Sequence, residues 1–205
     1  MSRQVKKFLV IILLISTAVR VAAAIFLGEQ VKAMPGIFDQ ISYHNLAVRV
    51  LNGFGFTFGE DWWPLTDAGQ PTAHWSYLYT LYLVLVYKIL GVHPLAARMI
   101  QAIIAGVLQP YLVFRIGRIV FHKAAGRDWI SLLGAAWCAV YGYFAYYSGA
   151  LMTEAFYISA LLWVILLSPE LSIDLAKFNP GRWVLLGVAI AFTVMLRQVF
   201  LIFVP

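Results

Sequence analysis

Cysteine is nearly absent from the sequence. The one cysteine, Cys138, lies inside an apolar run. A disulfide or a thiolate metal site needs more than one cysteine, so neither can form within a single chain. Cys138 is therefore expected to be a small buried hydrophobic residue. No internal repeat is found, and the glycines of GFGF, Gly53 and Gly55, have neither the spacing nor the following lysine of a phosphate-binding loop.

Charge is also scarce. Charged residues make up 12% of the 205 residues, and only nine of them are acidic, whereas soluble globular domains carry about 25%. Hydrophobic residues make up 62%, and the mean hydropathy is +0.83. A core of this size cannot bury so much apolar surface, which predicts a membrane protein. The net charge of +6 comes from clusters beside apolar runs, a pattern typical of membrane topology, so no nucleic-acid partner is expected.

The apolar runs predict five membrane spans. They lie at about 8–27, 95–120, 129–148, 151–168 and 182–204. The basic start, Arg3, Lys6 and Lys7, places the N-terminus in the cytoplasm, and the first run is too long for a cleaved signal peptide. A sixth run, 74–90, is short and rich in tyrosine, which favours a helix in the membrane interface. Counting it as a span would place the basic connection 115–128 outside, against the charge rule.

This topology makes residues 28–94 one long outer loop, in which acidic residues outnumber basic ones. It also places Asp39 and Glu154 on the same side of the membrane. The chain ends directly after an apolar run, from which we expect a single transmembrane module, residues 1–205, that is incomplete or truncated.

Asp39 lies near the start of a predicted surface helix, 38–51, and precedes Tyr43 by four residues on the same helix face. Two interpretations are open. A carboxylate in the first turn of a helix is favoured by the helix dipole, and a carboxylate at the mouth of a membrane cavity is available as a general base.

Glu154 and Arg197 lie in apolar surroundings, where an ionisable residue indicates a site or a partner. Glu154 is either an acid exposed at the interface or one of two carboxylates for acid–base chemistry or a divalent cation. Arg197 suits a lipid phosphate, but it would also pair with Glu154 or extend to the interface. Arg98 is a weaker candidate of the same kind. His74 and His44 lack metal-ligand spacing, which favours a hydrogen-bonding role.

The order of the motifs resembles a known family. The motifs are FDQISYHNLAVRVLNGFGF, PTAHWSYLYTLYLVLVYKILG, HPLAARMIQAIIAGVLQPYLVFRIGRIVF, YGYFAYYSGALMTEAFYISALLWVILL and VMLRQVFLIFVP. Together they resemble the N-terminal module of GT-C membrane glycosyltransferases. The nearest branch is glycosyltransferase family 39, with the protein O-mannosyltransferases and the aminoarabinose–lipid A transferases. The resemblance implies an all-α polytopic membrane protein with a long extracytoplasmic first loop that contains interfacial helices.

The resemblance also implies a reaction. A sugar would move from a polyprenyl-phosphate donor to an acceptor glycan, lipid or protein on the extracytoplasmic side of the lipid bilayer. Asp39 matches the acidic residue of the first loop, although Gln40 stands where protein mannosyltransferases have a second acid. Glu154 matches the second acidic position, and Arg197 the basic residue expected near the donor phosphate.

Tyr43, His74 and Arg98 complete the predicted set of substrate-binding residues. A divalent cation is the only cofactor considered. The short basic N-terminus and lean composition favour the bacterial inner membrane, with the site facing outward. Two other functions remain open: a non-catalytic or truncated subunit that binds a lipid carrier, and a transporter of lipid-linked sugars.

Overall fold

The computed structural model describes residues 1–63, 66–173 and 180–203. The helices are α1 (Arg3–Leu27), α2 (Asp39–Leu51), α3 (Tyr77–Leu90), α4 (Pro94–Val120), α5 (Arg127–Val140), α6 (Gly142–Gly149), α7 (Glu154–Ile173), α8 (Pro180–Leu196) and the 3₁₀-helix Gln198–Phe203. Over these ranges the chain forms no strand, only isolated bridges between Thr57 and Pro71 and between Trp62 and Thr66. The all-α prediction is confirmed for the residues described.

Within the described ranges, two helices, α1 and α4, are long and apolar enough to cross a membrane. They contain 25 and 27 residues and include the predicted spans 8–27 and 95–120. α3, the segment Glu154–Ser168 of α7, and α8 are apolar but shorter. The 14 residues of α3 extend about 21 Å at 1.5 Å per residue, less than the roughly 30 Å of a hydrocarbon core.

The stretch 129–148, predicted as one helix, is broken at Tyr141, where α5 ends and α6 begins with φ −63° and ψ 114°. Arg20 stabilises the break. This fully buried residue of α1 donates hydrogen bonds to the carbonyl oxygens of Cys138 at 3.1 Å and Ala139 at 3.0 Å. The last carbonyls of a helix have no partner within it, and a cation satisfies both their hydrogen bonding and their partial charge.

The last predicted span, 182–204, is also interrupted. α8 ends at Leu196 and a 3₁₀-helix follows from Gln198, so Arg197 lies at the junction between them; residue 204 is outside the described residues. The stretch predicted as one continuous helix is therefore an α-helix followed by a short 3₁₀-helix. This change of direction brings the Arg197 side chain over the start of α7.

The helices α1, α4 and α5 pack closely, and α6 packs against α1. Helical glycines, among them Gly106 and Gly149, make this approach possible. A Cβ on Gly106 would lie 2.7 Å from Thr17 Cα, and one on Gly149 would lie 2.9 Å from the Ala23 carbonyl carbon. Small residues at such crossings allow two helix backbones to touch.

The described part of residues 28–94, which were predicted as an outer loop, forms a second layer, in which α2 packs on α3. Its core is aromatic. The ring of Tyr43 stands edge-on to Trp75 and Tyr79, at centroid distances of 5.5 Å and 4.9 Å. α3 also contacts α4 and α8, so this layer is attached directly to the long helices. Large apolar side chains are exposed on many helices: Leu14, Phe26, Leu85, Val107, Leu133, Trp137 and Val184.

Candidate active site

A cavity of about 610 Å³ lies where α2, the start of α3 and the end of α8 meet. Its lining includes Asp39, Tyr43, His74, Trp75, Ser76, Thr153, Leu196 and Arg197. Four predicted site residues from three separate stretches of sequence are therefore brought together. Glu154 joins them through its contact with Arg197.

Asp39 is the first residue of α2 and is half-buried. The residue preceding the helix is Phe38, and no side chain caps this helix end. The Asp39 carboxylate accepts no hydrogen bond from any residue that the structure describes. It is therefore an acceptor open to the cavity, and it also lies in the first turn of α2, where the dipole favours a negative charge.

Helix α6 holds the turn that leads into α2. The Tyr146 hydroxyl donates to the Pro35 carbonyl oxygen at 3.2 Å, and the Tyr147 hydroxyl donates to that of Gly36 at 3.1 Å. Gly36 has φ +74°, a conformation that favours glycine. The chain before Asp39 is thus fixed by a helix far away in sequence.

Arg98 does not line the cavity. It is fully buried and donates to the carbonyl oxygens of Leu27, Gly28 and Gln30 at the end of α1. Its Nη2 also donates to Gln40 Oε1 at 2.8 Å. Arg98 therefore does not face the ligand space but holds the residue that follows Asp39, and it caps α1 as Arg20 caps α5.

Glu154 and Arg197 form an ion pair between Glu154 Oε1 and Arg197 Nη2. Arg197 Nε also donates to Thr153 Oγ1 at 3.1 Å, and the guanidinium lies 5.6 Å from the centroid of the Tyr157 ring. The side chain of Arg197 is 39% exposed, whereas that of Glu154 is 9% exposed. The internal pair considered from sequence is thus present, while Arg197 still faces the cavity.

Tyr43 is a hydrogen-bonding group of this cavity. Its hydroxyl oxygen accepts a hydrogen bond from the Ser76 N–H at 3.4 Å. Burial raises the pKa of Tyr43 to about 12, so the hydroxyl keeps its proton at neutral pH. It can therefore donate that proton in a hydrogen bond to a bound ligand.

Trp75, Ser76 and Thr153 line this cavity but were not predicted as site residues. Ser76 Oγ accepts from the Tyr79 N–H at 3.2 Å and donates to the Met195 carbonyl oxygen at 2.8 Å, which joins α3 to the end of α8. A serine just before an apolar run is a helix-start signal that could have indicated Ser76. Trp75 and Thr153 carry no such signal.

Two buried polar atoms near the cavity, Trp75 Nε1 and Glu154 Oε2, have no hydrogen-bond partner among the residues that the structure describes. Buried polar groups are nearly always paired, so such exceptions need an explanation. A bound ligand or water within the cavity would supply one. His74 is exposed, with its ring edge-on to Trp75 at 5.1 Å.

No group of three or more His, Cys, Asp or Glu residues able to hold a metal ion occurs in the part of the chain that the structure describes. His44 does not line this cavity; its Nδ1 forms a hydrogen bond with the Tyr87 hydroxyl at 2.9 Å. The two histidines considered from sequence therefore lie in different surroundings.

A second cavity, of about 540 Å³, lies between α3, α4, α7 and α8 and is almost wholly apolar. Its lining includes Leu78, Tyr82, Ile104, Leu108, Phe156, Trp163, Phe192 and Leu196. Leu196 lines both cavities. The cavity that contains Asp39 and Arg197 and the apolar cavity therefore share Leu196 as a lining residue.

No protein-family model, no curated protein and no solved structure matches the chain. The function is therefore inferred from the two cavities and from the order of the sequence motifs.

Proposed function

We propose that the protein is an integral-membrane glycosyltransferase of the GT-C type that moves a sugar from a polyprenyl-phosphate donor to an acceptor on the extracytoplasmic side. The observation that carries this proposal is that Leu196 lines both the cavity of Asp39 and Arg197 and the apolar cavity, so the two cavities are neighbours. A ligand with an anionic head and a long apolar tail matches this pair of spaces.

The exposed surface supports a polytopic membrane protein. Besides α1 and α4, helices α3, α5 and α8 expose large apolar side chains, among them Leu85, Trp137 and Val184. Soluble monomers rarely expose large contiguous apolar patches. Lipid around the helices accounts for this exposure, and α2 with residues 52–63 and 66–76 then forms the layer at the outer surface.

Arg197 is the residue suited to the donor phosphate. Its guanidinium is partly exposed to the cavity and is oriented by Thr153 and Glu154. A planar guanidinium binds phosphate oxygens through two parallel hydrogen bonds. The apolar cavity beyond Leu196 would hold the first part of the polyprenyl chain, and exposed residues of α4 such as Ile104 and Leu108 would guide the remainder into lipid.

Asp39 is suited to the role of general base. Its carboxylate would accept the proton of the acceptor hydroxyl while that oxygen attacks the anomeric carbon of the donor sugar. The bond between the anomeric carbon and the phosphate oxygen breaks, and polyprenyl phosphate leaves with the electron pair. Arg197 would stabilise the negative charge that grows on the phosphate. The single displacement inverts the anomeric configuration.

The test is an assay of the protein in lipid nanodiscs with polyprenyl-phosphate hexoses and pentoses and an extract of envelope glycolipids as acceptors. Release of polyprenyl phosphate is measured. Asp39→Asn should lower the rate about 10²- to 10⁴-fold, the usual contribution of a general base. Asp67→Asn is the matched control, because Asp67 is an exposed acid of the same loop that does not line the cavity.

If Asp39→Asn released polyprenyl phosphate at the wild-type rate, the assignment of Asp39 as the general base would be refuted. Donor binding without release by the wild-type protein would instead indicate a non-catalytic subunit that binds a lipid carrier. Movement of the intact donor between leaflets without release would indicate a transporter.

A further inference from the structure

A third cavity, of about 330 Å³, lies in the outer layer and has no part in the proposed transfer. It is lined by His44, Asn45, Val48, Arg49, Phe58, Gly59, Glu60 and Trp62. At 100° per residue, positions 44, 45 and 48 lie on the side of α2 away from Asp39, and position 49 lies at the flank of the helix. Phe58 lines this cavity and Trp75 lines the cavity of Asp39. The two rings stand edge-on to each other, with a distance of 6.5 Å between their centroids. The two cavities are thus separated by an aromatic wall.

The floor of this third cavity is a fixed aromatic surface. Trp62 stacks on Phe58 with a centroid distance of 4.9 Å and an interplanar angle of 9°. Trp62 Nε1 donates to Ser42 Oγ at 2.9 Å, which fixes the orientation of the indole within its plane. Phe58 is buried, whereas Trp62 is partly exposed. A ligand would therefore meet a rigid indole that loses little conformational freedom on binding.

Arg49 supplies donors on one side of the cavity. Its Nε and Nη2 donate to Thr57 Oγ1 at 3.2 Å and 2.9 Å, and its guanidinium lies 4.5 Å from the centroid of the Phe54 ring. These contacts hold the side chain in place. They leave Nη1, which lies beside Gly59, as the donor that can reach a ligand.

Acceptors and further donors surround the rest of the cavity. The Asn45 amide and the Glu60 carboxylate form no hydrogen bond with any residue in 1–63, 66–173 or 180–203. His44 uses Nδ1 with the Tyr87 hydroxyl, which leaves Nε2 available. Burial, together with the charge of Arg98, lowers the pKa of His44, so the ring is neutral at pH 7.

We propose that this cavity binds one residue of a neutral saccharide. A sugar ring presents an apolar face to an aromatic surface and hydroxyl groups to donors and acceptors at its edge, which is the arrangement of Trp62, Arg49, Asn45 and Glu60. The carboxylate of Glu60 disfavours a phosphate, and the guanidinium of Arg49 disfavours a metal cation. The ring of polar groups disfavours a purely apolar ligand.

This inference does not depend on the proposed transfer reaction, because none of the cavity residues belongs to the Asp39 cavity. Gly59 gives a direct way to close the site. A Cβ at this position would lie 3.2 Å from Arg49 Nη1, and a longer side chain would cover the guanidinium. Gly59 is exposed and has no positive φ, so a leucine fits its backbone.

The test measures saccharide binding by saturation-transfer NMR and calorimetry, with the protein in nanodiscs and neutral trisaccharides of glucose, mannose and N-acetylglucosamine as probes. We expect at least one to bind. Glu60→Gln and Gly59→Leu should each raise its Kd about tenfold or more, as loss of a central contact does. Asp67→Asn, which removes an equal charge from the same loop outside the cavity, should leave Kd unchanged.

Asp39→Asn should also bind the saccharide like the wild type, which separates this site from the proposed transfer. The proposal is overturned if no probe binds or if Glu60→Gln and Gly59→Leu leave binding unchanged. It is also overturned if inorganic phosphate binds more tightly than the trisaccharides and displaces them.

Discussion

The arginines of the helical core differ from the arginine of the candidate active site. Arg20 and Arg98 are fully buried. Every hydrogen bond that the structure gives them goes to a neutral oxygen, mostly a backbone carbonyl. Arg197 is partly exposed, faces a cavity and pairs with the carboxylate of Glu154.

The difference separates two uses of a buried cation. At the ends of α5 and α1, an arginine joins two helices by satisfying carbonyls that have no other partner. Beside the cavity, a carboxylate holds an arginine in place and leaves part of it accessible, which suits an anionic ligand. Burial of charge within an apolar chain therefore does not by itself indicate a binding site.

The strongest test of this comparison is Arg20→Ala. It removes the donor of Cys138, Ala139 and Gln109, so their buried oxygens lose hydrogen bonds. We expect the free energy of unfolding to fall by about 3 kcal/mol or more, measured by thermal unfolding in detergent. Arg3→Ala, which removes an exposed arginine of the same helix, should change stability by less than about 0.5 kcal/mol. Equal effects of the two variants would refute the structural role of Arg20.

The second test separates binding from stability at Arg197. Arg197→Gln should lower donor turnover about 10²- to 10³-fold, the loss expected when a group that stabilises developing charge is removed. It should also lower stability by about 1–3 kcal/mol, because Glu154 is then buried without its partner. The double variant with Glu154→Gln should regain the stability but not the turnover.

Recovery of both properties in the double variant would show that Arg197 acts only through its pair with Glu154. Loss of stability without loss of turnover would show that Arg197 has a structural role, like Arg20 and Arg98. Unfolding in detergent and release of polyprenyl phosphate are measured on the same preparations.

The smallest expected effect concerns Glu29, beside the carbonyls that Arg98 caps. Burial acts to raise the pKa of Glu29, but the hydrogen bonds from the Leu95 N–H at 2.6 Å and from His93 Nδ1 at 2.9 Å together lower it below its ordinary value of 4.5. A lowered folded-state pKa adds stability that is present above the unfolded value and is lost as pH falls through the folded value.

Stability should therefore fall as pH is lowered below about 4.5, by less than about 1 kcal/mol because Glu29 and His93 are largely exposed. Unfolding temperature is measured against pH for the wild type and Glu29→Gln. The difference between the two should shrink toward acid; a difference that stays constant with pH would contradict the assignment.

Much of the fold could be predicted from apolar run length and charge placement. The helical class is confirmed for the residues described, and α1 and α4 include the stretches 8–27 and 95–120 that were predicted as spans. The break at Tyr141 was not predicted. Gly142, which follows it, is a weak signal inside an apolar stretch, and the break is stabilised by Arg20, more than a hundred residues earlier. The end of α8 at Leu196 has no glycine or proline beside it to mark it in the sequence.

The candidate site was partly predictable. Asp39, Glu154 and Arg197 are conspicuous because each is ionisable and lies in or beside an apolar region. Arg98 shares that property, and its buried position at the end of α1 follows only from the packing of α4 on α1. Thr153 is recognisable as a cavity residue only after Arg197 folds back over it.

Gln109 connects the two kinds of arginine. Its Oε1 accepts from Arg20 Nη2 at 2.9 Å, and its Nε2 donates to the Ala155 carbonyl oxygen at 3.1 Å. Ala155 follows Glu154, so a single amide links the break between α5 and α6 to the helix turn that carries the partner of Arg197. Changes at Arg20 and Arg197 should therefore be non-additive in a double-mutant cycle, and the contacts between the core helices would influence the affinity of the cavity at a distance.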